Sequence, residues 1–541
     1  MLRSLITTLE TTKVTALSFL GAFLSVVVLR VMFEGFSSPS ENGAFPVDPT
    51  TVVHYLAYFL ALYFAFSLVL GVGSGDYTSA PKIALWGTTF LLLPPVLDFI
   101  LSGGEGAPLF YLITIPSELF TIYATFFDFL GDAGATLGVR ITLFATILIG
   151  ALYVYLKTHN ILRVFIAGFL IYTIVFVFGS FPSVLYALTF PTVLDGGPFV
   201  FLQNIFTHSS LIHNALPATL VPLSSLIAVE TGFNALMTAC FSLVATVFGV
   251  ITLGAMNRRV LTAHLQNLRP LRVVHALFLV GGGVLVGYTL SETTLSHFAD
   301  LLSLLCLVGA WIAACYFAVC INDLEDEAID AVSNTERPLV TGRLTRNEMQ
   351  NAAGITFFFM LLLGSAAGYY SLFFLLAFTG AYYAYSASPL RLKGVPVVAP
   401  FLISIAALSA IGAGFFFSYP FKESGAFPSE WIFGIVVFYT LLSNFKDLKD
   451  IEGDEKAGIM TLAVLLSKKF GKQAAHHMLG ALLALAFLST LLFFSTPYLW
   501  ILALVASVLG YSACVRTPYQ ERYVLIVMIL FLLGGALLTL L

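Results

Sequence analysis

Charged side chains are what this sequence has little of. Only 10% of its 541 residues are Asp, Glu, Lys or Arg, while 59% are hydrophobic. A soluble globular domain carries roughly a quarter charged residues. The deficit excludes an ordinary water-soluble fold, because 25 basic and 29 acidic residues, gathered between long apolar runs, cannot build a polar shell. A net charge of −4 with no basic tail argues against nucleic acid as a partner. Cysteine is scarce too: Cys240, Cys306, Cys315, Cys320 and Cys514 lie in or beside apolar runs, without metal-site spacing. They read as packing thiols and imply no disulfide framework.

What is abundant is apolar sequence in runs of about 18–25 residues, the length at which a helix crosses ~30 Å of hydrocarbon with its backbone satisfied internally. The fold class that follows is all-α, a polytopic helical membrane protein. Six spans are expected near 14–33, 52–73, 82–102, 138–157, 162–182 and 233–256. Nine more are expected near 270–290, 297–321, 347–367, 371–388, 396–418, 430–447, 473–495, 497–514 and 522–540. The first run ends on Arg30 and is long enough to span, so it reads as an uncleaved helix and not a signal peptide. The stretches 108–130 and 196–228 are apolar but interrupted by Pro116, Pro217 and Pro222, which leaves re-entrant, surface-lying and spanning readings open.

Basic residues orient these helices, since Lys and Arg accumulate in cytoplasmic loops. In the last nine helices the alternate segments 257–272, 322–346, 389–395, 446–472 and 515–523 hold 17 Lys plus Arg, and the opposite loops hold only Lys422. The same alternation places Arg3, Lys13, Lys82, Lys157 and Arg163 inside. The expected topology has a cytoplasmic N-terminus. The polar break from Asn257 to Pro270 marks the expected boundary between an N-terminal module, 1–256, and a second domain, 257–541.

Two acidic islands lie on that cytoplasmic side. One runs from Asn322 and Asp323 through Asp326 to Asp330, the other from Lys446 and Asp447 through Asp450 to Asp454. Both contain Asp-x2-Asp-x3-Asp, which on a continuous helix confines the three carboxylates to an arc of about 60°. Glu325 and Glu452 point away from that line. Carboxylates gathered this way repel one another unless cations lie between them. Hard oxygen donors suit Mg2+, which prefers one or two carboxylates completed by water and phosphate oxygens. Two such lines suggest a diphosphate clamped between metal ions. Arg337, Arg343, Arg391, Lys393 and Lys446, in the same segments, are placed to neutralise the charge of a departing diphosphate. A solvated loop would account for one island; the identical spacing four helices apart argues against that for both and hints at internal duplication.

Together with the string Asn334-Thr-Glu-Arg337-Pro338, the loop Tyr385-Ser-Ala-Ser-Pro389-Leu-Arg391-Leu-Lys393 and the Arg-Pro pair before the first helix, these motifs resemble the UbiA superfamily of intramembrane prenyltransferases over roughly 265–541. The resemblance implies a nine-helix bundle in which Mg2+ binds an isoprenyl diphosphate, the diphosphate leaves, and an aromatic or hydroxyl-bearing lipophilic acceptor captures the allylic cation. It implies that Asp323, Asp326, Asp330, Asp447, Asp450 and Asp454 hold the metal. It places Asn322, Arg337, Arg391, Lys393, Lys446 and Tyr385 at the diphosphate. The stretch 334–342 looks closer to members acting on lipid glycerol phosphates or chlorophyll-type acceptors than to the phosphoribose-transferring branch. A transporter or lipid-handling protein built on a retired scaffold is the alternative, and it would be favoured by missing aspartates; none is missing.

Residues 1–256 resemble nothing nameable. His54 and Asp98 are expected to be satisfied by neighbouring helices. His208 and His213, five apart, share a helix face too poorly for a metal site and read as surface or interface residues.

Overall fold

The computed structural model describes residues 2–37, 49–104, 106, 111–129, 134–189, 197–208, 226–291, 298–419, 425–493 and 496–540. Every element among them is a helix. Fourteen are long and apolar enough to cross a membrane. The fifteenth expected span, 371–388, is present as the 18-residue helix Tyr369–Ser386. Its five tyrosines lower its hydropathy without shortening it.

The described residues fall into two compact units, one carried by residues up to Arg258, the other by residues from Arg259 onward apart from 298–302. In the first unit the helices Pro49–Ser74 and Leu226–Met256 pack along each other. His54 is sandwiched there, with Nδ1 2.9 Å from the Asn234 side-chain oxygen and Nε2 2.6 Å from the Tyr111 hydroxyl. Asp98 accepts from the Thr136 hydroxyl and the Gly138 N–H, each at 2.7 Å. Both are therefore satisfied by neighbours, as expected. The expected span 82–102 is a broken rod: helix Ala80–Gly87, a tighter turn Thr88–Leu92 and helix Leu93–Leu101. Pro94 and Pro95 enter at the first turn of the last piece, the one place where a missing N–H is harmless. The ambiguous stretches contain the helices Pro116–Thr125 and Gly197–His208, of 10 and 12 residues, each too short to span. His213 and the side chain of His208 lie outside the described residues. All five cysteines are free, four of them buried.

The second unit contains nine long helices among the described residues, from Pro270–Ser291 to Glu521–Leu540. Its tightest crossing joins Pro270–Ser291 to Val398–Ser418. A Cβ at Gly283 would lie 2.0 Å from the Ile411 carbonyl oxygen, and one at Gly414 would lie 1.9 Å from that of Val280. Only glycine lets these backbones touch, the device by which membrane helices gain contact where lipid removes the hydrophobic drive. The Arg346–Ala367 helix starts on a full capping box between Thr345 and Glu348. Its start fixes the loop that leads from the first acidic island into the bundle.

Candidate active site

The acidic islands are not continuous helices, which corrects the expectation of one straight carboxylate face on each. The long helix Phe298–Glu325 stops at Asp326 and a short one, Glu327–Ser333, restarts. In the second island a 3-10 turn, Ser443–Lys449, stops at Asp450 and Ile451–Lys456 restarts. Asp326 (φ −104, ψ 12) and Asp450 (φ −102, ψ 5) adopt nearly the same bridge-region backbone. Neither aspartate caps the helix that follows it with its side chain, which leaves both carboxylates to other partners.

Two side chains stitch the motifs together. The Asn334 side-chain amide donates to Asp330 Oδ1 at 2.8 Å and to Asp450 Oδ1 at 3.0 Å. Lys393, buried, donates to Asp326 Oδ1 at 2.6 Å, and its Nζ stands 4.0 Å from Asp454. The short helices also touch: a Cβ at Gly453 would lie 2.3 Å from Ser333 Oγ. Burial raises the Asp330 carboxyl, opposed by Arg337. Asp454 is lifted to about 7, by burial first, with Lys393 opposing and Asp447, Asp450 and Asp326 adding to the shift. Carboxylates held in this way favour an added cation.

The predicted residues do not all share one surface. Asn322, Asp326, Asp330, Arg337, Tyr385, Lys393, Lys446, Asp450 and Asp454 line a single cavity of about 190 Å3. Asp323 does not line it; its oxygens are held by the Asn267 amide, at 2.7 Å, and by Arg269. Asp447 is also off the wall, and Arg391 reaches Asp326 from outside it, Nη2 to Oδ1 at 2.8 Å. Asp326 further accepts from Asn322 Nδ2 at 2.7 Å. Lys446 stacks over the Tyr385 ring, 3.9 Å from its centre.

Three charged cavity residues were not singled out in the sequence. Glu521, at the start of the last helix, accepts from Arg272 Nη2 at 2.5 Å and from Lys449 Nζ at 2.7 Å. Arg272 lies two residues after the Arg-Pro pair, and Lys449 precedes Asp450, so both carried a positional signal. Glu521 carried only the anomaly of an acid opening an apolar helix. Beyond this charged rim the wall is apolar and runs along Val398–Ser418 as far as Ala410, about 18 Å into the helix at its rise per residue.

Among the described residues no three His, Cys, Asp or Glu side chains converge closely enough to hold a metal on their own. Asp330, Asp450 and Asp454 on the cavity wall are hard oxygen donors of the kind Mg2+ takes alongside phosphate and water.

The model of the UbiA prenyltransferase family matches residues 280–538. Digeranylgeranylglyceryl phosphate synthase of Sulfolobus acidocaldarius is 31% identical over 235 residues, covering 42% of this chain and 80% of that one. The chain belongs to the UbiA prenyltransferase family. Naringenin 8-dimethylallyltransferase 2 of Sophora flavescens is 32% identical over 244 residues, 41% of this chain and 58% of that protein. A UbiA homologue from Archaeoglobus fulgidus, solved with GPP and Mg2+ bound, is 20% identical with a TM-score of 0.39, covering 52% of this chain and 100% of that one. The UbiA family match begins at residue 280 and so leaves the N-terminal half uncovered. This UbiA-family chain is a multi-pass membrane protein and a prenyltransferase.

Proposed function

We propose that the second unit transfers an isoprenyl group from an isoprenyl diphosphate to a lipophilic acceptor, aromatic or hydroxyl-bearing, with Mg2+ as cofactor. The observation that carries this reading is the pair of cross-links, Asn334 between Asp330 and Asp450 and Lys393 between Asp326 and Asp454, at the rim of an otherwise apolar cavity. Asp330, Asp450 and Asp454 supply the metal-binding oxygens on the cavity wall. Asp323 and Asp447 support them from behind it. When bound, Mg2+ supplies leaving-group charge stabilisation at the diphosphate. Lys393, Arg337, Arg391 and Lys446 contribute positive charge at the same end, and Asn322 and Tyr385 complete the rim. The apolar wall holds the chain and delays water.

The basic loops favour a cytoplasmic N-terminus and a cytoplasmic active site. Residues 1–256 and 257–541 are read as separate domains, the first presenting acceptor, product or partner within the lipid. The test is purified protein with Mg2+, labelled geranylgeranyl or farnesyl diphosphate and a lipid extract of the host. Transfer of label into a lipid supports the reading, and its absence from every extract sinks it. Deleting 1–256 without changing rate or product would remove the presenting role.

A further inference from the structure

His275 is the single imidazole on the cavity wall among the described residues. It lies on the Pro270–Ser291 helix, three residues or about 4.5 Å beyond Arg272. Arg272 belongs to the charged rim through Glu521, whereas Ala276 and Leu279, next along the wall, are apolar. His275 therefore stands at the border between the two. A diphosphate ester bound at the rim places its reacting carbon, C1, at that same border.

The ring is held at one nitrogen and open at the other. Nε2 is 3.0 Å from the hydroxyl of Tyr439, which is itself buried. Nδ1 has no hydrogen-bond partner among the described residues, and the residue lines the cavity. The carboxylates nearby face partners of their own: Asp326 has Lys393 and Arg391, Glu521 has Arg272 and Lys449, Asp330 and Asp450 share Asn334, and Asp454 stands 4.0 Å from Lys393. Any of them that took a proton would give up charge needed to hold cations. A neutral imidazole takes one without that loss.

We propose that His275 is the general base of the transfer, a step that rests on the function proposed above. The C1–O bond breaks with its electron pair leaving on the diphosphate. A lone pair of the acceptor hydroxyl, or a π pair of its ring, forms the new bond to C1. The proton displaced from that oxygen or ring carbon moves to Nδ1. The resulting imidazolium donates Nε2–H to the Tyr439 hydroxyl oxygen, which makes Tyr439 a positioning residue.

The experiment compares full-length wild type with His275→Gln and Tyr439→Phe, using Mg2+, labelled geranylgeranyl diphosphate and a total lipid extract of the host. Diphosphate release and labelled lipid are both read. For His275→Gln, release stays close to wild type while transfer falls about 100-fold, the scale of a lost general base, and the label appears as prenyl alcohol. Tyr439→Phe shifts the same partition less. Added imidazole restores part of the transfer in His275→Ala. A variant that keeps the wild-type ratio of transfer to release overturns the proposal, as does a parallel fall in both that imidazole does not reverse. Wild-type protein that releases no diphosphate overturns the underlying function, and the base with it.

Discussion

Replacing Gly453 by alanine tests whether the contact between the two acidic motifs sets the activity, and it does so without touching a carboxylate. The added Cβ would lie 2.3 Å from Ser333 Oγ, 2.9 Å from Ile329 Cγ2 and 3.2 Å from the Ile329 carbonyl oxygen. The serine hydroxyl can rotate away, but Ile329 is buried at 5% exposure and its carbonyl is fixed in the short helix. Carbon atoms settle at about 3.5–4.0 Å, so the two short helices must part by roughly 0.6–1 Å. Overpacking of this kind costs about 1–3 kcal/mol of stability. The larger effect is on chemistry. Asn334 spans Asp330 and Asp450 at 2.8 and 3.0 Å and cannot keep both bonds across a wider gap. Misplacement by about 1 Å can lower a rate about 100-fold. The assay is the initial rate of label transfer as Mg2+ is titrated, alongside thermal unfolding in detergent. Gly281, around which nothing lies within 4 Å, provides the control, and Gly281→Ala leaves both readings unchanged. A Gly453→Ala protein with wild-type rate and wild-type Mg2+ half-saturation would refute the reasoning.

Three further outcomes follow from the same geometry. Asn334→Ala weakens apparent Mg2+ affinity about 10–100-fold, as loss of a partner behind metal ligands typically does, with rate at saturating Mg2+ less affected; equal half-saturation in both proteins contradicts this. Lys393→Met leaves buried Asp326 with only Arg391 as counter-ion and destabilises the protein by about 3 kcal/mol, read as a lower unfolding temperature in detergent. Gly414→Leu abolishes the close crossing with Pro270–Ser291 and sharply reduces folded yield on size exclusion, whereas Gly535→Leu, with open space around it, is tolerated.

The helices were legible because lipid leaves run length and hydropathy to read, and the tyrosine-rich Tyr369–Ser386, less apolar than the other fourteen, was legible by its length. Loop charge likewise singled out the residues of the site, since Asn322, Asp326, Asp330, Lys393, Asp450 and Asp454 all reach one cavity. Helical periodicity misled at Asp326 and Asp450, because an i, i+3, i+7 pattern assumes an unbroken helix and cannot register a stop at its middle member. Glu521 and His275 were hidden for a different reason. Each is a polar residue near the start of a largely apolar helix, and its meaning comes from partners far away in sequence: Arg272 and Lys449 for one, Tyr439 for the other.

The central claim, that both acidic motifs act together on an isoprenyl diphosphate, is tested most directly by mass spectrometry of the transfer product. Wild type, Asp326→Ala and Asp450→Ala are compared with Mg2+ and after chelation. The account predicts a prenylated lipid from wild type with Mg2+ alone, and none after chelation or from either variant. A product that persists in either variant, or in the presence of chelator, would contradict it.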